Sequence, residues 1–400
     1  MYSSLTRKLV FAIVAVSLYF FEINILGRLK SKYVWGGQYD LHIKTPVDFN
    51  NIQGYDIAGK ANSSYVKKSR FVDMPILHNT SAIEYKKIEK ILVKRLLHGV
   101  GPKASSYIIL REDEPYGFGN NFRSLLASAL IALISGKRLR IMWDNYFLLM
   151  DNEFIRLRYN ESEVKRNKIS YYYTFPKDLF TSVNNDPNIT DYFKSKYSGI
   201  HTYAILSPSI CSNPEYVEKL VDIGLIPNAE NAMIEIHHRL SRILFQPKKS
   251  LINETRVFMK ENKLENCVGI QYRTGGYVSH FYERTTFLSL DSVVESAKIL
   301  KTAFANKNRT VFLTTDSMKV LKVVPKMMEP LQVRSVQMYA IGHSASNRKT
   351  FVGLSPIMNR IFMDLYIFSS CDSIFWTRNS SFGELGYWLS NSHTACQIDK

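Results

Sequence analysis

The order of strand-sized and helix-sized segments in the second half of the chain limits the fold more than any other feature. CVGIQYRTGG (residues 267–276) reads as a short buried strand, with Val268, Ile270 and Tyr272 alternating with Gly269 and Gln271. It delivers Arg273 into a bend that Gly275 and Gly276 keep free of bulk. Residues 291–304 form an amphipathic helix, and TVFLTTD (310–316) a second strand. Ser317 starts another helix, and 331–337 is a weaker strand. A helix over 356–368, a strand over 373–376 and a helix over 381–389 follow. Each helical crossover is long enough for parallel pairing, so the order is βαβαβ.

The carboxyl-end tips of these strands carry chemistry of one kind. QYRTGG offers a guanidinium whose flat fork of donors matches phosphate oxygens. TTDS offers the hydroxyls of Thr315 and Ser317 and the carboxylate of Asp316. RNSSFGELG places Ser380 and Ser381 at a helix start, where free backbone N–H groups hold anions. A diphosphate would lie between that helix start and Arg273, with Asp316 accepting from a base or sugar. There is no DxD in the chain, and nothing in the pattern demands a metal.

The first half repeats the architecture. Residues 106–110 (SYIIL) are a strand, Gly117 and Gly119 bracket a bend, and Asn120 or Asn121 caps a broadly apolar helix. Gly136 stops that helix, and 139–143 is the next strand. This is half of an open α/β unit whose ligand side holds the GFGN loop and Asp144. The loop lacks the full dinucleotide and Walker patterns, so a nicotinamide or ATP site is poorly supported. Residues 146–207 are tyrosine-rich loops and short elements, the expected acceptor-facing surface, and 213–245 holds two helices divided near Gly224. FQPKKS (245–250) is the crossing between domains.

Residues 9–26 (LVFAIVAVSLYFFEINIL) form an apolar stretch interrupted by Glu22 and Asn24. A single membrane anchor is the preferred reading, with a cleaved signal peptide as its competitor. Positive-inside counting is ambiguous. Seven N-glycosylation sequons (Asn62, Asn79, Asn160, Asn188, Asn253, Asn308 and Asn379) all follow the anchor and favour a lumenal body. Cys211, Cys267, Cys371 and Cys396 make no CxxC pair, and three complete disulfide pairings remain open. Cys267 and Cys371 each border a core strand and are expected to be buried thiols.

The net charge of +17 favours an anionic partner without choosing one. The basic residues are scattered, without zinc-finger spacing or a basic region with heptads, so no nucleic-acid partner is expected.

Taken in order, GFGN (117–120), VGIQYRTGG (268–276), VFLTTD (311–316) and SSFG (380–383) resemble the fucosyltransferase superfamily that shares an HxRxG motif. That group includes the α1,2-, α1,6- and protein O-fucosyltransferases and the plant xyloglucan enzymes. The resemblance implies an α/β fold of two Rossmann-like domains facing a cleft, of GT-B type, with an N-terminal transmembrane anchor. It divides the chain into a cytoplasmic tail (1–8), a signal-anchor (9–27) and a stem (28–95). An acceptor-side domain (96–255) and a nucleotide-sugar domain (256–400) follow.

It also implies GDP-fucose as donor, a glycan or glycoprotein acceptor, inversion at the anomeric carbon and no obligatory cofactor or metal. The location implied is the Golgi or endoplasmic reticulum, as a single-pass type II membrane protein. Arg273 would hold the β-phosphate, Asp316 would read guanine, and Ser380, Ser381, Phe382 and Gly383 would surround the phosphates. Gln271, Gly275, Thr315 and Ser317 complete the donor side, and Asn120 faces it across the cleft. The motif's histidine is Gln271 here, as in the plant wall enzymes, and its terminal aspartate is Gly276. Asp113, Glu114, Asp144, His280 and Glu283 are the candidate general bases. The competing readings are a transferase using another nucleotide sugar and a non-catalytic glycan-binding scaffold on the same fold.

Overall fold

The computed structural model describes residues 70–399 apart from 76–81, 112–116, 152–155, 163–164, 166–167, 174–192, 202–209, 212, 279–280, 306–308 and 338–353. The described chain opens with strand β1 (Phe71–Asp73) and helix α1 (Ala82–His98). Strand β2 (Tyr107–Arg111), helix α2 (Phe118–Ser135), strand β3 (Arg138–Met142) and helix α3 (Asp144–Leu149) follow. Two more strands, β4 (Ser170–Tyr173) and β5 (Tyr197–His201), precede helices α4 (Pro214–Asp222), α5 (Ala232–Leu244) and α6 (Lys249–Glu261). The second half runs β6 (Val268–Tyr272), β7 (Gly275–Val278), β8 (Phe281–Thr286), α7 (Leu290–Phe304), β9 (Val311–Thr315) and α8 (Met318–Met328). It ends with β10 (Val333–Arg334), α9 (Leu354–Ser370), β11 (Ser373–Thr377), α10 (Ser381–Leu389) and β12 (Thr394–Ile398).

Two separate sheets result. The first is four-stranded and parallel, in the order β3-β2-β5-β4. The second is six-stranded, in the order β1-β12-β11-β6-β9-β10. It is parallel except for β1, which runs antiparallel to β12. Strands β7 and β8 form a hairpin apart from both sheets.

Every residue of β6, β9 and β11 is buried, as expected for a parallel sheet covered on both faces. Val268, Ile270 and Tyr272 pack with Val293, Ala297 and Leu300 of α7 and Val320 and Val324 of α8. On the opposite face a Cβ at Gly269 would lie 2.9 Å from the Phe368 ring of α9, so the helix rests directly on the strand. Each large apolar side chain buried this way contributes roughly 1.5–3 kcal/mol. A disulfide joins Cys267, just before β6, to Cys371, just after α9. The two cysteines expected as buried thiols are thus bonded to each other; Cys211 and Cys396 are buried free thiols, so none of the three complete pairings forms.

In the first half α2 begins earlier than the asparagine caps suggest. Gly117 occupies the cap position with no side-chain bond, and the Asn121 N–H donates to its carbonyl at 3.1 Å. Gly136 closes the helix in the left-handed region, at φ 69°, where a side chain is disfavoured. The stretch read as loops contributes β4 and β5, and 331–337 narrows to the two residues of β10. Residues 71–73, counted with the stem, pair with the last strand.

The expected membrane anchor is corrected. Among the described residues no helix is long and apolar enough to cross a membrane. Their longest, α2, is buried within the fold and carries Arg123. Residues 9–27, on which the anchor was placed, lie outside the described residues. The membrane partner, the single-pass type II topology and the Golgi or endoplasmic-reticulum location fall with it. Of the seven sequons, Asn160, Asn253 and Asn379 are described, and all three are exposed.

Candidate active site

Strand β6 lies between β11 and β9, so the residues following these three strands emerge side by side. Arg273, Thr274 and Gly275 follow β6, Asp316 and Ser317 follow β9, and the turn 378–380 leads from β11 into α10. Sequence-predicted residues from all three tips are therefore brought to one edge of one sheet.

Asp316 organises the loop after β6. Its Oδ1 accepts from the Thr274 N–H at 3.0 Å and the Thr274 hydroxyl at 3.1 Å. Its Oδ2 accepts from the Gly275 N–H at 3.1 Å and lies 3.4 Å from Arg273 Nε. Both carboxylate oxygens thus engage this loop, and Asp316 fixes the backbone and guanidinium of the arginine loop. Gly275 takes φ 64°, which brings its N–H to Asp316 at little steric cost. The Arg273 guanidinium carbon also lies 5.8 Å from the centre of the Phe287 ring, within cation–π range.

Thr315 and Ser317 are occupied locally. The Ser317 N–H donates to Thr315 Oγ1 at 3.2 Å, and Ser317 Oγ caps α8 by accepting from Val320 N at 3.5 Å. Gln271 is buried beneath the arginine, at 3% exposure.

The turn after β11 leads into the capped start of α10. Asn379 is left-handed at φ 64°, and Ser380 caps α10, its Oγ accepting from the Gly383 N–H at 3.3 Å. Gly383 presses on Trp376, where an added Cβ would come within 2.5 Å of the indole. From the other side α2 closes in. A Cβ on Gly119 would lie 2.7 Å from the Ser381 carbonyl carbon. Arg123 of α2 and Glu384 of α10 form an ion pair at the same seam. Asn120 is thereby carried next to the serine turn, half-buried.

Sequence reasoning missed Thr377, Trp376, Arg123 and Glu384. Only Thr377 left a signal, a hydroxyl at the last position of a buried strand. Of the candidate bases, Asp113, Glu114 and His280 lie outside the described residues. Asp144 is exposed and pairs with Arg158 at 2.7 Å. Glu283 lies on the β8 hairpin. Among the described residues no three His, Cys, Asp or Glu side chains gather as a metal site would require.

No protein-family profile matches the sequence, and no curated protein matches it either. Solved structures do. A mutant of Arabidopsis thaliana FUT1 in complex with GDP aligns at a TM-score of 0.54 and 14% identity, over 79% of this chain and 79% of that one. Fucosyltransferase NodZ from Bradyrhizobium gives 0.41 at 15% identity, over 74% and 99%. POFUT1 in complex with GDP-fucose gives 0.40 at 10% identity, over 75% and 99%. The latter two fall short of whole-fold similarity. The resemblance to the fucosyltransferase superfamily first carried by four short motifs thus extends to the fold, which the chain shares with Arabidopsis thaliana FUT1 and which assigns it to no branch.

Proposed function

We propose that the chain is a glycosyltransferase that moves fucose from GDP-fucose to a hydroxyl of a glycan or glycoprotein, with inversion and without an obligatory metal. The observation that carries this reading is the arginine loop. Arg273 is held by Asp316 at the end of β6 and joined through its backbone to the strand that leads into the Ser380–Gly383 turn. The fold shared with a protein solved with GDP supports the choice of nucleotide.

In this mechanism the acceptor oxygen attacks C1 of the sugar while the C1–O bond to the diphosphate breaks. Charge grows on the leaving GDP. The Arg273 guanidinium and the free N–H groups at the start of α10 meet that charge, in surroundings drier than water. The acceptor proton passes to a nearby base or to the departing diphosphate.

The test is binding and turnover with GDP, GDP-fucose, GDP-mannose and UDP-sugars, on the wild type and on Arg273→Ala and Arg273→Lys. GDP binding and turnover of GDP-fucose alone are expected. Arg273→Ala should lower kcat/KM by about 100-fold or more, the scale for removing one preorganised donor to a developing charge. Arg273→Lys should recover little, because an ammonium lacks the fork. Consumption of only a UDP-sugar would overturn the donor assignment.

A further inference from the structure

We infer that Gln271 and Thr377 form a charge-neutral latch that sets the spacing between Arg273 and the serine turn, so that Gln271 is a positioning residue. The inference rests on the functional reading above and goes beyond it to two side chains that are almost fully buried.

The ladder between β6 and β11 ends at the pair Gln271 and Trp376. Beyond it three further hydrogen bonds continue the pairing by other means. The Thr377 N–H donates to the Gln271 side-chain oxygen at 3.3 Å. The Thr377 hydroxyl donates to the Gln271 carbonyl at 3.2 Å, and it accepts from the Arg273 N–H at 2.8 Å. One β-branched side chain thus touches both Arg273 and Gln271, two residues before it, with a restricted rotamer. Thr377 is 2% exposed and Gln271 3%, so both act from beneath the site.

The glutamine has a chemical rationale. Its oxygen must accept from a backbone N–H, and an amide accepts at every working pH. A histidine, which the motif has at this position, accepts through one ring nitrogen only while neutral and loses that ability near pH ~6.5. Among the described residues, the charged groups near this point include Arg273 and Asp316 at the strand ends, Arg378 next to Thr377 and paired with Asp399, and the buried Arg360–Asp364 pair of α9. Asp364 hydrogen-bonds Thr314, the cross-strand neighbour of Gln271. A latch without its own ionisation keeps the grip on the donor independent of these neighbours and of pH.

A staple that only holds the sheet together would change stability and leave the affinity of the folded protein alone. Calorimetric titration with GDP separates the two, using wild type, Thr377→Val, Thr377→Ser, Gln271→Leu and Gln271→His between about pH 5 and 8, with thermal melts alongside. Thr377→Val and Gln271→Leu should weaken GDP about tenfold at temperatures where both are folded, the equivalent of one or two lost hydrogen bonds. Thr377→Ser keeps the hydroxyl and should stay within about twofold of wild type. Gln271→His should bind near wild-type strength at the alkaline end and lose about tenfold toward the acid end, a limb that wild type lacks. Variants that melt early yet bind GDP as wild type does, or a Gln271→His affinity that tracks wild type across the range, overturn the latch alone. A wild type that does not bind GDP overturns the functional reading, and the latch with it.

Discussion

Arg123 of α2 and Glu384 in the first turn of α10 form an ion pair that ties a helix of the four-stranded sheet to the helix carrying the serine turn. Their side chains are only 10% and 21% exposed, so the pair works in a poorly solvated seam. Removing one charge strands the other. Glu384→Gln should therefore destabilise the fold by about 3 kcal/mol, whereas Arg123→Met with Glu384→Leu should recover most of that. Urea unfolding followed by circular dichroism measures both. A Glu384→Gln stability within about 0.5 kcal/mol of wild type would mean the pair contributes nothing specific.

Gly119 tests the same seam by steric means. An added Cβ would meet the Ser381 carbonyl carbon at 2.7 Å and the Phe382 nitrogen at 2.8 Å, both backbone atoms that cannot swing aside. Two effects oppose each other. Alanine gains at most about 1 kcal/mol over glycine in a helix, and less at this second position of α2, while overpacking costs about 1–3 kcal/mol. Gly119→Ala should come out destabilised, with weaker GDP binding because the displaced atoms belong to the serine turn. A melting temperature at or above wild type with unchanged affinity for GDP would show that the two helices separate freely.

The parts of this structure legible in the sequence are those whose signals are local. Strands β6, β9 and β11 are rich in apolar and β-branched residues because both faces are covered, and α10 announces itself through its Ser380 cap. The arginine, the carboxylate and the serine turn could be assigned to strand tips for the same reason. Strands β4 and β5 could not, since SYYY and YSGIH are short and carry no sustained alternation. Strand β1 exists only because β12, more than 300 residues later, pairs with it (Phe71 with Ile398). The contacts of Asp316 were illegible for a related reason. A carboxylate after a strand suits a ligand, and only the fold shows that its oxygens also bond Thr274, Gly275 and Arg273. Neither the clearance at Gly119 nor that at Gly383 leaves any trace beyond the glycine itself.

The Cys267–Cys371 disulfide closes a loop of sequence separation 104 and clamps the entry of the central strand to the end of α9. In the chain-entropy account a loop of that size contributes about 4–5 kcal/mol by restricting the unfolded chain. The wild type should therefore lose stability on treatment with dithiothreitol, and Cys267→Ala with Cys371→Ala should show the same loss without further response to reductant. Free Cys211 and Cys396 are buried and serve as internal controls: alkylation of the native protein should label neither. A denaturation midpoint unmoved by reductant would remove the disulfide from the stability argument.

His237 and His238 on α5 should make the fold sensitive to acid. His237 stacks on Trp388 with ring centres 4.5 Å apart, and the His238 ring nitrogen Nδ1 lies 2.7 Å from the Trp388 carbonyl. Burial holds both well below the usual imidazole value, to about 4, with Arg123 adding to the effect on His237 and Arg242 to that on His238. The unfolded chain takes up protons near pH ~6.5, where the folded chain does not, so acid favours unfolding. Stability should be complete above that point, fall as the pH drops from about 6.5 toward 4, and level off once the folded histidines protonate as well. Each histidine accounts for at most about 3 kcal/mol over that window, at ~1.36 kcal/mol per pH unit. Chemical denaturation at a series of pH values gives the slope. His237→Phe, which keeps the stack on Trp388 and removes the titration, should flatten it by up to half. An unchanged slope in that variant would place the acid sensitivity elsewhere.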